Sequence, residues 1–173
     1  MKRFLLILLF ISSACIGQDI KLIENKVCDL YKTYSKKRGI NALVRTELNS
    51  LSNCQSRYIS TLDSINQVSH ETNIEGLQTF HQRVVNFYEH TNGSHFAEVL
   101  SAIKKGNGEY GTEDDLAKIL FDLLLKSPPH KKILDTRTNK SYSFKVTRVK
   151  DGGFVLIGIF SGDESFFIRK TID

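Results

Sequence analysis

The chain has 173 residues, of which 40% are hydrophobic, and it carries a formal net charge of +5 at neutral pH. This length suits one domain with a real hydrophobic core. Beyond the N-terminal segment, no apolar run is long enough to cross a membrane as a helix. The basic clusters are short, dispersed and located at predicted helix ends, so they do not predict a nucleic-acid surface. They are Lys36-Lys37-Arg38, Lys104-Lys105 and Lys131-Lys132.

The N-terminal segment has the three parts of a secretory signal peptide. Lys2 and Arg3 give a positive start, residues 4–11 form an uninterrupted apolar run, and residues 12–17 are small and weakly polar. The run is too short to cross a bilayer as a helix. We therefore predict a signal peptide over residues 1–17 and export to the periplasm or the cell exterior. Two forms of processing remain open: cleavage that leaves Gln18 first, or lipidation of Cys15 that leaves a membrane-anchored lipoprotein.

Once Cys15 is assigned to the signal peptide, two cysteines remain, Cys28 and Cys54. An exported protein meets an oxidising environment, in which these two residues can form a disulfide. The chain-entropy model values the closed loop of about 25 residues at roughly 3 kcal/mol. The alternative is a pair of small buried thiols, because both residues lie in predicted amphipathic helices.

Four helices are predicted from apolar residues that recur every three or four positions. The first covers residues 22–37 and ends before Gly39. The second begins at Thr46 as N-cap and continues to residue 65, and the third covers residues 77–88. The clearest helix opens with Thr112-Glu113-Asp114-Asp115, which is close to a capping box, and Ser127-Pro128-Pro129 ends it.

The C-terminal part of the chain changes to a two-residue period. Tyr142, Phe144 and Val146 alternate with polar residues, and Asp151-Gly152-Gly153 predicts a hairpin turn into an apolar strand over residues 154–160. Residues 166–168 predict a short last strand, and residues 96–103 form either a strand or one or two helical turns. Helices followed by an antiparallel hairpin predict an α+β fold or a layered α/β/α sandwich.

Two histidines and a glutamate are the candidate site residues. His70 follows the second predicted helix, Glu98 lies in the short apolar segment, and His130 follows the prolines that end the fourth helix. Imidazole and carboxylate groups serve as metal ligands and as acid–base groups. The three are far apart in sequence, so only the fold can bring them together. The alternative is structural: a protonated histidine is favoured at a helix C-terminus, and Glu98 can cap a helix or pair with a lysine.

These landmarks, taken in order, resemble the CAP superfamily (cysteine-rich secretory proteins, antigen 5 and pathogenesis-related 1 proteins) in its bacterial secreted form. The most specific piece is Ser127-Pro128-Pro129-His130-Lys131-Lys132-Ile133-Leu134, where the family has a similar Ser-Pro-Gly-His segment followed by an Ile-Leu pair. A helix ending in Lys-Lys-Arg-Gly-Ile, a second helix ending in Ser-His and a glutamate in a short apolar segment precede it. The resemblance covers about residues 22–162 and implies a CAP (SCP-like) domain over residues 22–173.

The resemblance implies a three-layer α/β/α sandwich of CAP type with an antiparallel central sheet. It also implies that His70, Glu98 and His130 line a central cleft that can hold a divalent metal, zinc or calcium. Two histidines and one glutamate would leave an open coordination position on zinc.

Three functions follow from this interpretation. The leading one is an exported, non-catalytic CAP-domain binding module whose cleft takes a divalent metal or a small ligand, lipids included. Its partners would be a small molecule, a lipid or a component of the cell envelope or surface, and not nucleic acid. The second is a metal-dependent hydrolase that acts on envelope or peptide substrates. The third is a purely structural surface module, which lipidation at Cys15 would support.

Overall fold

The computed structural model of the chain describes residues 18–89, 95–104, 110–163 and 167–168. Within them the helices are α1 (Ile20–Lys36), α2 (Asn49–Thr61), α3 (Phe80–Phe87), α4 (Glu113–Lys126) and α5 (Pro128–Leu134). The strands are β1 (Leu43–Val44), β2 (Tyr88–Glu89), β3 (Phe96–Ile103), β4 (Ser141–Arg148), β5 (Phe154–Ser161) and β6 (Phe167–Ile168). The predicted signal peptide and Cys15 lie outside the described residues. None of the helices described here is long and apolar enough to cross a membrane.

The central sheet is mixed and has the strand order β1-β4-β5-β3. The predicted hairpin of β4 and β5 is confirmed, and β3 pairs with β5 in the antiparallel direction. The predicted antiparallel pairing therefore holds for β3, β4 and β5, and the two-residue strand β1 departs from it, because β1 runs parallel to β4. Parallel neighbours need a long crossover connection, and the chain from α2 to α5 provides it. The predicted last strand is present as β6, which pairs with β2 in a separate two-stranded sheet.

Helices cover both faces of the central sheet, which makes the fold an α+β sandwich of three layers, as predicted. The side chains of β5 alternate between two hydrophobic clusters, as the period of a strand requires. Phe154, Leu156 and Phe160 face α1 and α4. Val155, Ile157 and Ile159 face α2 and α3. The sheet therefore separates two cores.

The local signals for two helices are confirmed. The first predicted helix corresponds to α1, which begins two residues earlier because the Asp19 carboxylate accepts the backbone N–H groups of Lys21 and Leu22. Thr112 and Asp115 form the capping box that opens α4. Both helix starts are therefore determined by short-range hydrogen bonds.

The second and third predicted helices are shorter than expected. Residues 46–48 form a 3-10 turn, so Thr46 is not an N-cap, and α2 ends at Thr61 because Leu62 is extended. Ser64 then caps a separate 3-10 turn. Helix α3 starts at Phe80, three residues later than predicted, since Thr79 and Gln82 form a capping box there.

The predicted disulfide between Cys28 and Cys54 is not formed, and both residues are free cysteines. Cys28 on α1 packs against the core on one face of the sheet, whereas Cys54 on α2 belongs to the core on the other face. The sheet lies between them and prevents pairing. Burial raises the pKa of the Cys28 thiol to about 11 and also raises the pKa of Cys54. Both are therefore poor nucleophiles, which suits the buried-thiol alternative.

Candidate functional site

His70 lies in the connection between α2 and α3, and buried side chains hold its backbone in place. Gln55 on α2 donates from Nε2 to the carbonyl oxygen of Ser69 at 2.7 Å. Arg83 on α3 donates from Nη2 to the carbonyl oxygen of His70 at 3.0 Å. Because Gln55 and Arg83 are fully buried, these two contacts hold the backbone of the loop around His70 in one conformation. The imidazole itself remains about half exposed.

Glu98 projects from β3, the last strand in the sheet order, and its side chain is buried. Its carboxylate accepts hydrogen bonds from Nη2 of Arg83, at 3.0 and 3.2 Å. One of the two oxygens also lies 2.9 Å from Nδ1 of His70. A buried carboxylate requires such partners, because desolvation without them costs several kcal/mol.

Arg83 is a site residue that the sequence analysis missed. It is fully buried, and its Nη1 donates to the carbonyl oxygens of Leu77 and Gln78 at 3.3 and 3.4 Å. An arginine beside apolar residues in an amphipathic helix looks like an ordinary solvated side chain. No local pattern distinguishes it, since the carboxylate that it pairs with comes from β3.

The ion pair determines which nitrogen of His70 carries hydrogen. The guanidinium of Arg83 is permanently charged and lies 3.0 Å from Glu98, so it favours the ionised carboxylate. An ionised carboxylate only accepts hydrogen bonds, so Nδ1 of His70 must be the donor. The neutral His70 ring therefore keeps Nε2 as an acceptor, the form in which imidazole binds a metal or a hydrogen-bond donor.

His130 lies beside His70, with ring centroids 5.9 Å apart and planes tilted by 56°. The predicted end of the fourth helix before the prolines is confirmed, but the short helix that contains His130 was not predicted. Helix α4 does end at Lys126, but a new helix, α5, starts at once with Pro128 in its first turn, which places His130 inside α5. Burial, and secondarily the neighbouring His70, lowers the pKa of His130. Its neutral form is therefore favoured at neutral pH.

The structure thus brings all three predicted site residues together, but not as three converging ligands. Within the described ranges, no group of three or more His, Cys, Asp or Glu side chains is arranged to hold a metal ion. Glu98 is engaged by Arg83 and stands behind His70. The two imidazoles remain as the side chains that can face a ligand, and the expectation of a His–Glu–His ligand set is corrected in this respect.

A cavity of about 240 Å³ adjoins His70. Its walls are mostly aliphatic, with two serines, and its lining consists of Ile65, Val68, Ser69, His70, Leu100, Ser101 and Ala102. The hydroxyl of Ser101 donates to the carbonyl oxygen of Leu120, so it is already occupied. His70 is the ionisable group in this lining, which suits a small ligand with an apolar body and one polar group.

Comparisons with known proteins support the fold. No family model matches the chain, and no curated protein matches it. Among solved structures, the chain is similar to an outer surface protein from Borrelia burgdorferi, with a TM-score of 0.50 and 15% sequence identity. The similarity covers 82% of this chain and 90% of that one. At this level of identity, the likeness shows a shared fold alone.

Proposed function

We propose that the chain is an exported binding protein of the CAP type, whose cleft between His70 and His130 takes a divalent metal ion or a small ligand without catalysing a reaction. The observation that carries the proposal is the hydrogen bond from Nδ1 of His70 to Glu98, together with the ring of His130, whose centroid lies 5.9 Å from that of His70. In the neutral ring, this bond leaves Nε2 of His70 as an acceptor beside the imidazole of His130.

Export rests on the N-terminal sequence, where residues 1–17 have the layout of a signal peptide. The fold that the chain shares with a protein named as an outer surface protein is compatible with that assignment. The CAP assignment rests on the ordered sequence landmarks and on the three-layer sandwich in which His70, Glu98 and His130 lie together.

The donor set fits zinc better than calcium. Imidazole nitrogen binds zinc at about 2.0–2.1 Å, so two rings on one ion have centroids no more than about 6.5 Å apart. The separation of His70 and His130, 5.9 Å, lies within this limit. Calcium takes oxygen ligands, and Glu98 is already bound by Arg83. His70 and His130 would hold zinc, and Glu98 would orient His70 and increase its basicity.

A metal-dependent hydrolase is the alternative function. Zinc, when bound, would supply an acidified water molecule. Catalysis of this kind also needs a carboxylate that is free to act as general base. The carboxylate of Glu98 is shared by Arg83 and His70, so it does not face the cleft as a free base. This arrangement favours the binding function over hydrolysis.

Calorimetric titration with zinc tests the proposal on the chain from Gln18 onward. We expect one zinc ion per chain and loss of binding in the His70→Ala/His130→Ala variant. Glu98→Gln should weaken zinc binding by about 10–100-fold, because the partner that orients His70 is lost. His81→Ala is the matched control, since His81 is exposed on α3, and it should bind as the parent does. Equal binding by the double variant and the parent, with both folded by circular dichroism, would rule out this site.

A further inference from the structure

Two basic clusters that are almost one hundred residues apart in sequence meet at one end of the fold. Asp135, at the end of α5, joins them through its two carboxylate oxygens. Nε of Arg38 and the hydroxyl of Tyr34 lie 2.7 Å from one oxygen, and Nζ of Lys131 lies 2.6 Å from the other. The guanidinium of Arg38 also stacks on the ring of Tyr34 at 3.7 Å. The C-terminus of α1 and helix α5 therefore present one continuous surface.

The net positive charge of this surface, residues 36–45 and 131–140, exceeds the net charge of the whole chain. It contains eight Lys and Arg residues and one Asp, a net charge of +7, against +5 for the complete sequence. The rest of the chain has 16 Lys and Arg against 18 Asp and Glu, a net charge of −2. We call residues 36–45 and 131–140 the basic end. Its most exposed cations are Lys36, Lys37, Arg38, Lys132, Arg137 and Lys140.

The described residues neutralise the charge of the basic end only in part. The acidic residue that it contains, Asp135, is already bound by Arg38 and Lys131. Within the part of the chain that the structure describes, Lys36, Lys37, Lys132 and Arg137 form no ion pair. Such an excess of one sign on one surface attracts a partner of the opposite sign.

Two exposed aliphatic side chains lie within the basic end, one on each face of the edge strand β1. Leu43 and Val44, which form β1, are 58% and 52% exposed. They belong to the basic end by sequence and by contact, because the N–H of Leu43 donates to the carbonyl oxygen of Lys140. Protein surfaces that bind the interface of anionic membranes combine exposed aliphatic side chains with Lys and Arg.

We propose that the basic end docks on an anionic phospholipid surface. The lysines and arginines contact headgroup phosphates, and Leu43 and Val44 enter the layer between headgroups and acyl chains. A soluble polyanion would explain the charge but would leave the two exposed aliphatic side chains without a role. The inference is independent of the cleft, because it uses neither His70 nor His130.

Vesicle sedimentation tests the inference on the chain from Gln18 onward. The probes are phosphatidylcholine vesicles with and without about 30% phosphatidylglycerol, at about 0.05 M and 0.5 M salt. We expect binding to the anionic vesicles at low salt and its loss on neutral vesicles and at high salt. Lys36→Glu/Lys37→Glu/Arg137→Glu should weaken binding by about a hundredfold or more. Arg57→Glu/Lys104→Glu/Lys118→Glu changes the net charge equally, outside the basic end, and should weaken it by less than about threefold.

Variants of Leu43 and Val44 distinguish binding to a lipid surface from binding to a polyanion. Leu43→Ser/Val44→Ser should reduce binding to anionic vesicles by about tenfold while leaving the retention of the protein on a heparin column unchanged. Three results would overturn the proposal: equal binding to neutral and anionic vesicles, equal losses in the two charge-reversed variants, or unchanged vesicle binding by the serine variant. The last result would indicate a polyanion-binding surface instead.

Discussion

Replacing Arg83 with Met is expected to lower the free energy of unfolding by about 3–5 kcal/mol. Arg83 and Glu98 are both buried, and the guanidinium contacts both carboxylate oxygens. Without it, Glu98 keeps His70 as its side-chain partner among the contacts described here, and an incompletely paired charge stays inside the protein. Arg83 also donates to the carbonyl oxygens of His70, Leu77 and Gln78, so the loop that carries His70 loses these three hydrogen bonds.

Urea denaturation monitored by circular dichroism measures this effect. Arg57→Met is the matched control, because Arg57 is exposed on α2, and its change should stay within about 0.5 kcal/mol. The Arg83→Met/Glu98→Gln variant should be more stable than Arg83→Met alone, since it removes the remaining buried charge. A loss below about 1 kcal/mol in Arg83→Met would contradict the buried ion pair.

Replacing Phe160 with Ala is expected to cost about 3–5 kcal/mol of unfolding free energy. Phe160 on β5 is fully buried in the core on the face of the sheet that α1 and α4 cover. Its ring meets the rings of Tyr31 and Phe144 edge to face, with centroids 5.2 and 5.7 Å away. Truncation removes these aromatic contacts and leaves a cavity that the surrounding rings cannot fill without changing their own packing.

The same denaturation experiment applies, with Ile119→Ala as the control. Ile119 lies on α4 and is 37% exposed, so its truncation should cost much less. The denaturant dependence of the free energy should be unchanged in both variants, because the surface exposed on unfolding stays similar. Equal losses for the two truncations would contradict the packing of α1 and α4 on this face of the sheet.

The sequence predicted those parts of the fold that depend on residues close together in the chain. The cap at Thr112 and the turn at Asp151-Gly152-Gly153 are short hydrogen-bonded motifs, so their residue types are sufficient evidence. Strand β1 has two residues, which is too short for an alternating pattern, and its parallel pairing with β4 depends on the whole connection between them. The end of α2 was missed because the apolar pattern continues past the extended residue Leu62.

The same distinction between short-range and long-range contacts explains which features of the site could be predicted from the sequence. His70, Glu98 and His130 were identified from residue types and from the order of the family landmarks. Their roles depend on long-range contacts, and Arg83 changes the role of Glu98 from a candidate ligand to the partner that orients His70. The basic clusters looked dispersed for the same reason, because no local pattern shows that Arg38 and Lys131 share Asp135.

Zinc-edge anomalous diffraction from zinc-soaked crystals of the chain from Gln18 onward shows where a bound metal lies relative to His70, Glu98 and His130. If His70 and His130 form one site with Glu98 behind it, we expect one zinc peak bonded to Nε2 of His70 and to His130, with Glu98 still between Arg83 and Nδ1 of His70. A peak on the carboxylate of Glu98 with Arg83 displaced, or no zinc between the two imidazole rings, would contradict it.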